Sequence, residues 1–266
     1  MNTLLTKLGA GLAEYLNRPR RQGTQIAIAT AEQLAAALRP GDVLLVEGNT
    51  RISVAIKYLT QSTWSHAALY VGEAAGTPAP GADPKVLVEA DMQGGVRAVA
   101  LSAYSGMHTR ICRPVGLPPE DLQKVVDFVV SRIGQGYDLK NLLDLARFLI
   151  PTPPVPVRWR RRMIALGSGD PSRAICSTLI AQAFESVGYP ILPDVTLEKS
   201  ADSACYDCYR EVLHIRHYSL YTPRDFDISP YFKIVKPTLV GDFDYRQVTW
   251  AKHSAAPVSA LPGIVH

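Results

Sequence analysis

The sequence contains no run of ~18 or more consecutive apolar residues, so no segment of it reads as a helix that crosses a bilayer. Cysteine is sparse as well. Four in 266 residues do not make a disulfide framework, and a reducing compartment fits them best. Residues 1–21 lack the charged start, continuous apolar block and small-residue cleavage site of a secretory signal, which points to a cytoplasmic protein. There is little net charge, +4, and the excess is local: Arg18, Arg20 and Arg21, then Arg158, Arg160, Arg161 and Arg162. With only Trp159 interleaved, these clusters lack the stacking surfaces of a nucleic-acid groove, and nucleic acid is not expected as a partner. An anionic surface, including that of a membrane, fits them better.

What is present is the composition of a globular protein, 47% hydrophobic and 20% charged, in a chain long enough to bury a sizeable core. Leu4, Leu5, Leu8, Leu12, Tyr15 and Leu16 recur at helical spacing, so residues 1–29 read as an amphipathic helix and a basic linker. That helix either packs on the domain or lies peripherally at the inner membrane. Thr30 is the expected N-cap of AEQLAAALR, which stops at the turn signal Pro40-Gly41. Strand-like runs follow at DVLLVE from Asp42, HAALYVG from His66, KVLVEAD from Lys85, VRAVALSAY after Gly94-Gly95, and HTRICRPV from His108. A short helix from Ser53 interrupts them.

These runs predict a small, mostly antiparallel sheet of four to six strands. PPEDLQKVVDFVVSRIG, with proline and acids in its first turn and Gly134 at its end, reads as a helix, and CSTLIAQAFESVG as another. Strands first and helices later imply the α+β class. Between these helices, NLLDLARFLI, PTPPVP and RWRRRMIALG predict a helical insertion over 139–172 with a stiff proline elbow. One domain over 30–250 and a frayed tail over 251–266 complete the expected organisation.

Three residues carry potential chemistry. Cys176 falls at the start of a helix, where unsatisfied N–H groups and the dipole favour thiolate over thiol. By itself such a cysteine is as well explained as a small buried hydrophobe. His66 opens a strand, and Glu89 lies in the next run, where an antiparallel neighbour brings a carboxylate beside an imidazole. Asp91 lies on the same side of an ideal strand and competes for that role. Cysteine, histidine and an orienting acid are the parts of nucleophilic catalysis: the base takes the thiol proton, and the acid fixes the ring and its tautomer. Cys205 and Cys208 form a lone CxxC, with His214 nearby but no second pair, so neither a metal nor another cofactor is expected. Cys112 reads as core, and His108, His217 and His253 as surface or loop residues.

Taken in order, RPGDVLLVEG, IKYLTQSTWSHAALYVG, VLVEADMQGGV, GQGYDLKNLL and AICSTLIAQAF resemble the YiiX-type permuted papain-like hydrolases, which are related to NlpC peptidases and distantly to lecithin retinol acyltransferases. The discriminating feature is that His66 precedes Cys176, the reverse of the unpermuted order. The resemblance covers roughly Arg39 to Pro193. It implies a circularly permuted papain-like fold, Cys176 as nucleophile, His66 as general base, Glu89 as its orienting group, and Tyr137 in GQGYD as a phenol that helps an oxyanion hole. The long segment between Tyr137 and Cys176 departs from the compact pattern.

The function so implied is a cysteine hydrolase that cleaves an amide bond through an acyl-enzyme, with a peptide-like substrate. The alternative is an acyltransferase or phospholipase that uses the same chemistry on a lipid acyl group at a membrane surface. A non-catalytic module that keeps only the cleft is the third reading.

Overall fold

The structure, a computed structural model, describes residues 29–78, 80–91, 94–136, 175–199 and 209–239, together with residues 18 and 246. The expected amphipathic N-terminus, the insertion, Tyr137, the Cys205/Cys208 pair and the tail lie outside the described residues. Helix α1 (Ala31–Ala37) begins as its sequence predicts: Thr30 and Gln33 form a reciprocal capping box, and Leu34 and Ala37 are buried. Strand β1 (Val43–Val46) is apolar at every position because it is central and covered on both faces. Helix α2 (Arg51–Thr60), capped by Thr50, leads to strand β2 (His66–Tyr70).

Strands β3 (Lys85–Asp91) and β4 (Gly95–Ala100) form the next hairpin. Gly95 has φ 64°, and a Cβ there would sit 2.3 Å from the carbonyl oxygen of Gln135, so this corner requires glycine. Strand β5 (Thr109–Pro114) returns beside β1, and helix α3 (Pro119–Val130) follows. The helix stops short of Gly134. That glycine instead turns the chain so that its N–H donates to Val96 O at 2.8 Å, docking residues 131–135 on β4.

Helix α4 (Ile175–Glu185) carries Cys176. A two-stranded antiparallel ribbon, β6 (Asp194–Lys199) with β7 (Tyr209–His214), precedes helix α5 (Pro223–Ile228) and strand β8 (Phe232–Val235). The six-stranded antiparallel sheet has the order β4-β3-β2-β1-β5-β8, at the upper end of the expected range. Its last strand is the aromatic segment PYFKIV, in which the sequence shows no clear strand signal.

Alternate residues supply two cores. Val43, Leu45, Ala67, Leu69, Val88 and Cys112 pack with Val125 and Val129 of α3 and with Leu179, Ile180 and Phe184 of α4. Leu44, Ala68, Leu87 and Ile111 pack with Leu34 of α1 and with Tyr104. Phe184 is fully buried, with Phe232 edge-on at 5.2 Å, and a side chain of this kind contributes about 1.5–3 kcal/mol by burial. Asp42, 1% exposed, is satisfied by a two-pronged Arg113 guanidinium at 2.8 and 2.7 Å and by the N–H of Arg39. The acid after Gly41 is therefore a structural anchor between β1 and β5.

Candidate active site

Two elements meet at the site. His66 is the first residue of β2, opposite Val46 of β1, and Cys176 is in the first turn of α4, which packs on β2 and β3. Cys176 is 5% exposed and lies at the edge of the core that α4 helps to form. Glu89 stands in β3 across from Arg97 of β4, and is likewise buried.

The His66 ring joins the other two groups. Its Nε2 lies 2.5 Å from Glu89 Oε2, and the ring also hydrogen-bonds the Cys176 thiol. With Nε2 taken by the carboxylate, Nδ1 is the nitrogen left for sulfur. Burial pulls the His66 pKa down, but the charges and hydrogen bonds of Cys176 and Glu89 outweigh it and raise it to about 10. The imidazolium form is thus the favoured one at neutral pH.

Glu89 is held on both oxygens. Oε2 accepts from His66 and from the Tyr104 phenol, while Oε1 accepts from Arg97 Nε at 2.9 Å and Nη2 at 2.8 Å. Burial alone raises a carboxyl pKa, yet the bonds from His66, Tyr104 and Arg97 lower this one to about 2. Tyr104 ends a short 3-10 turn, Leu101–Tyr104, and burial, reinforced by the Glu89 charge, pushes its phenol well above its ordinary value, so it stays a donor.

Of the two acids, Glu89 is the one within hydrogen-bond distance of the His66 ring. Asp91 accepts from Arg97 Nη2 at 2.6 Å and from the Gly94 N–H, so it steadies the arginine rather than the imidazole. Arg97 and Tyr104 were missed by the sequence reading. A cross-strand opposite-charge pair could have pointed to Arg97 once the hairpin was registered on Gly94-Gly95. Nothing local marks Tyr104, which arrives from a turn between strands. Cys112 is fully buried with its thiol pKa pushed up by burial, which makes it inert. His108 lies in the loop before β5 and is half-buried: its Nδ1 is 3.0 Å from Glu47 Oε2, and its ring lies 4.9 Å from that of Trp64. Among the described residues, no three His, Cys, Asp or Glu side chains converge as ligands for a metal ion.

Residues 37–146 match the family described as permuted papain-like amidase enzyme, YaeF/YiiX, C92 family. Over this stretch the chain is similar to the permuted papain-like amidase family. The matched stretch includes His66, Glu89, Arg97 and Tyr104 and ends before the helix of Cys176. The fold is accordingly permuted papain-like and α+β, and the family is one of amidase or peptidase-like enzymes. A curated relative, "Probable lipoprotein peptidase YaeF" of Escherichia coli strain K12, is 22% identical over 176 residues, which are 60% of this chain. The chain spans about 60% of the length of that relative. The crystal structure of metalloprotein yiiX from Escherichia coli O157:H7 superposes with a TM-score of 0.43 at 16% identity, covering 75% of this chain and 97% of that one. No helix among the described residues is long and apolar enough to cross a membrane.

Proposed function

We propose that the protein is a cysteine hydrolase that cleaves an amide bond through an acyl-enzyme, with Cys176 as nucleophile, His66 as acid and base, and Glu89 as the group that orients His66. The observation that carries this reading is the His66 ring placed between the Cys176 thiol and the Glu89 carboxylate. The ring holds the proton, so sulfur stands as a thiolate beside an imidazolium. The thiolate attacks the carbonyl carbon, forming the S–C bond and moving the carbonyl electron pair onto oxygen. The positive end of α4, with the N–H of Cys176, stabilises that oxyanion, and Tyr137 supports it in the role the family resemblance implies. The C–N bond then breaks as His66 protonates the leaving amine. In the second half, neutral His66 takes a proton from water, hydroxide adds to the thioester, and the C–S bond breaks to release the acid and restore the thiolate.

The test is alkylation by iodoacetamide with mapping of the modified peptide. The wild type reacts rapidly at Cys176 near neutral pH, and His66→Ala slows that reaction by at least ~10-fold. Equal rates in the two proteins would remove the dyad.

A second reading, acyl transfer or lipolysis at a membrane, draws support from the β6–β7 ribbon. Val195 and Leu213 pair across its two strands, and with Leu197 and Ile215 they leave an apolar face exposed. Flotation with anionic vesicles tests it. A protein that stays with the aqueous fraction excludes this reading and leaves the amide hydrolase in place.

A further inference from the structure

Beside the start of β2 opens a cleft of about 510 Å³, bounded by the last turns of α2, the loop 61–64, the beginning of β5 and helix α5. Its wall is polar and its charge lopsided. Lys57, His108, Arg110 and Arg224 face it, and Asp227 is the single carboxylate on the wall. The acid that contacts two of these groups stands behind them: Glu47 accepts from Lys57 Nζ at 2.9 Å and lies 3.0 Å from His108 Nδ1, yet it is not part of the lining. Asp227 is fully engaged, with one oxygen on Arg110 Nη1 at 2.6 Å and the other on the buried indole N–H of Trp64 at 2.9 Å. Arg110 lies over the Trp64 ring at 5.0 Å, which fixes its guanidinium at the wall. Arg224 donates to the carbonyl of Thr60 at 3.1 Å, and among the described residues no carboxylate pairs with it.

The position of the cleft matters as much as its charge. Thr63 and Trp64 line it, Ser65 follows, and His66 begins the catalytic strand. Two residues of extended chain span at most ~7 Å, so the backbone of Trp64 on the cleft wall lies within that distance of the backbone of His66. A structural ion-pair network would need no open space on its cationic side. Here that side borders the cavity, with the hydroxyls of Ser62 and Thr63 completing a set of donors.

We propose that this cleft is an anion subsite, taking a carboxylate or phosphate carried by the acyl substrate and so selecting acidic substrates over neutral ones. The proposal rests on the cysteine-hydrolase reading for its link to Cys176 but not for the existence of the site. Arg224 supplies the charge that draws the anion in. Arg110, held by Asp227 and Trp64, supplies a rigid face.

Two measurements test it. The first compares alkylation of Cys176 at pH 7 by three reagents: bromoacetyl-glycine, its neutral amide, and (bromoacetylamino)methylphosphonate. In the wild type the anionic reagents react about fivefold faster than the amide, and in Arg224→Gln that ratio falls toward one, as it does in high salt. The carboxylate and phosphonate arms show which oxyanion is preferred. Equal rates for charged and neutral reagents in the wild type overturn the subsite, as does a ratio indifferent to Arg224→Gln.

The second measurement leaves catalysis out. Sodium acetate and inorganic phosphate are each titrated in, and the His108 ring is followed by NMR. A saturable shift weakened in Arg224→Gln supports the site even where no reagent labels Cys176, an outcome that counts against the hydrolase reading alone. Absence of a saturable shift with either anion overturns the site whatever Cys176 does. Arg224 is exposed on a short helix, so its replacement by glutamine leaves the fold intact, and a matching circular dichroism spectrum verifies that.

Discussion

Cys176 contributes most to raising the His66 pKa and Glu89 next; replacing Glu89 by glutamine removes one negative charge and keeps the shape, which makes it a direct probe of the carboxylate's share. The carboxylate lies 2.5 Å from Nε2 and is itself buried, so solvent screens the pair little. An opposite charge at contact range moves a pKa by about 1–3 units, each worth ~1.4 kcal/mol. Glu89→Gln should therefore lower the His66 pKa by that amount, from about 10 toward the ordinary 6.5. The thiolate still favours the charged ring, so the fall stops short of a complete return. Ring resonances followed through a pH titration report it directly, and the other histidines of the chain are internal controls. Asp91→Asn should move His66 far less, because Asp91 reaches the imidazole only through Arg97. A Glu89→Gln titration within a few tenths of a unit of wild type, or a wild-type His66 that titrates near 6.5, would refute the electrostatic account of the site.

Three further outcomes follow from the same contacts. Tyr104→Phe withdraws a donor from the oxygen that faces His66 and should cost about 1.5–3 kcal/mol in urea unfolding, together with slower alkylation of Cys176. Arg113→Met leaves the Asp42 carboxylate buried without its partner and should cost about 3–5 kcal/mol, whereas the double change with Asp42→Leu costs less, because no orphaned charge remains. The dependence of stability on pH has a definite sign on each side. The His66 contribution is full below 6.5 and is lost as pH rises through about 10. The Glu89 contribution is full above its ordinary 4.5 and is lost as pH falls through about 2. The difference in Tm between wild type and Glu89→Gln should thus be largest between about pH 4.5 and the lowered His66 pKa of the variant and shrink on both sides, and a constant difference across pH would contradict the pairing.

The parts of the fold legible in the sequence are those whose signal is local. Thr30 announces an N-cap, DVLLVE a strand, and Gly94-Gly95 a turn, at which Gly95 proves to admit no side chain. The parts that stayed dark depend on partners far along the chain. Strand β8 exists because FKIV lies against β5, more than a hundred residues earlier, and its aromatic and proline neighbours mask the alternation. The ribbon β6–β7 was missed because its apolar side chains face outward and give no amphipathic pattern directed at a core.

The site shows the same division. His66 and Cys176 could be found from the ends of the elements they occupy, since a strand start and a helix start are readable positions. Glu89 and Asp91 could not be told apart, because they share a strand face by parity and parity is all that the local sequence supplies. Register decides between them. The pairing of Leu69 with Val88 and of Glu89 with Arg97 sets Glu89, not Asp91, within reach of the ring, and the arginine then bridges the two acids. A slip of β3 against β2 by two residues would exchange the two carboxylates while keeping every apolar side chain on its proper face. The hydrophobic pattern alone therefore cannot select the register that brings Glu89 to His66. What fixes it is the Gly95 corner locked on Gln135, together with the Arg97 clamp that this corner positions.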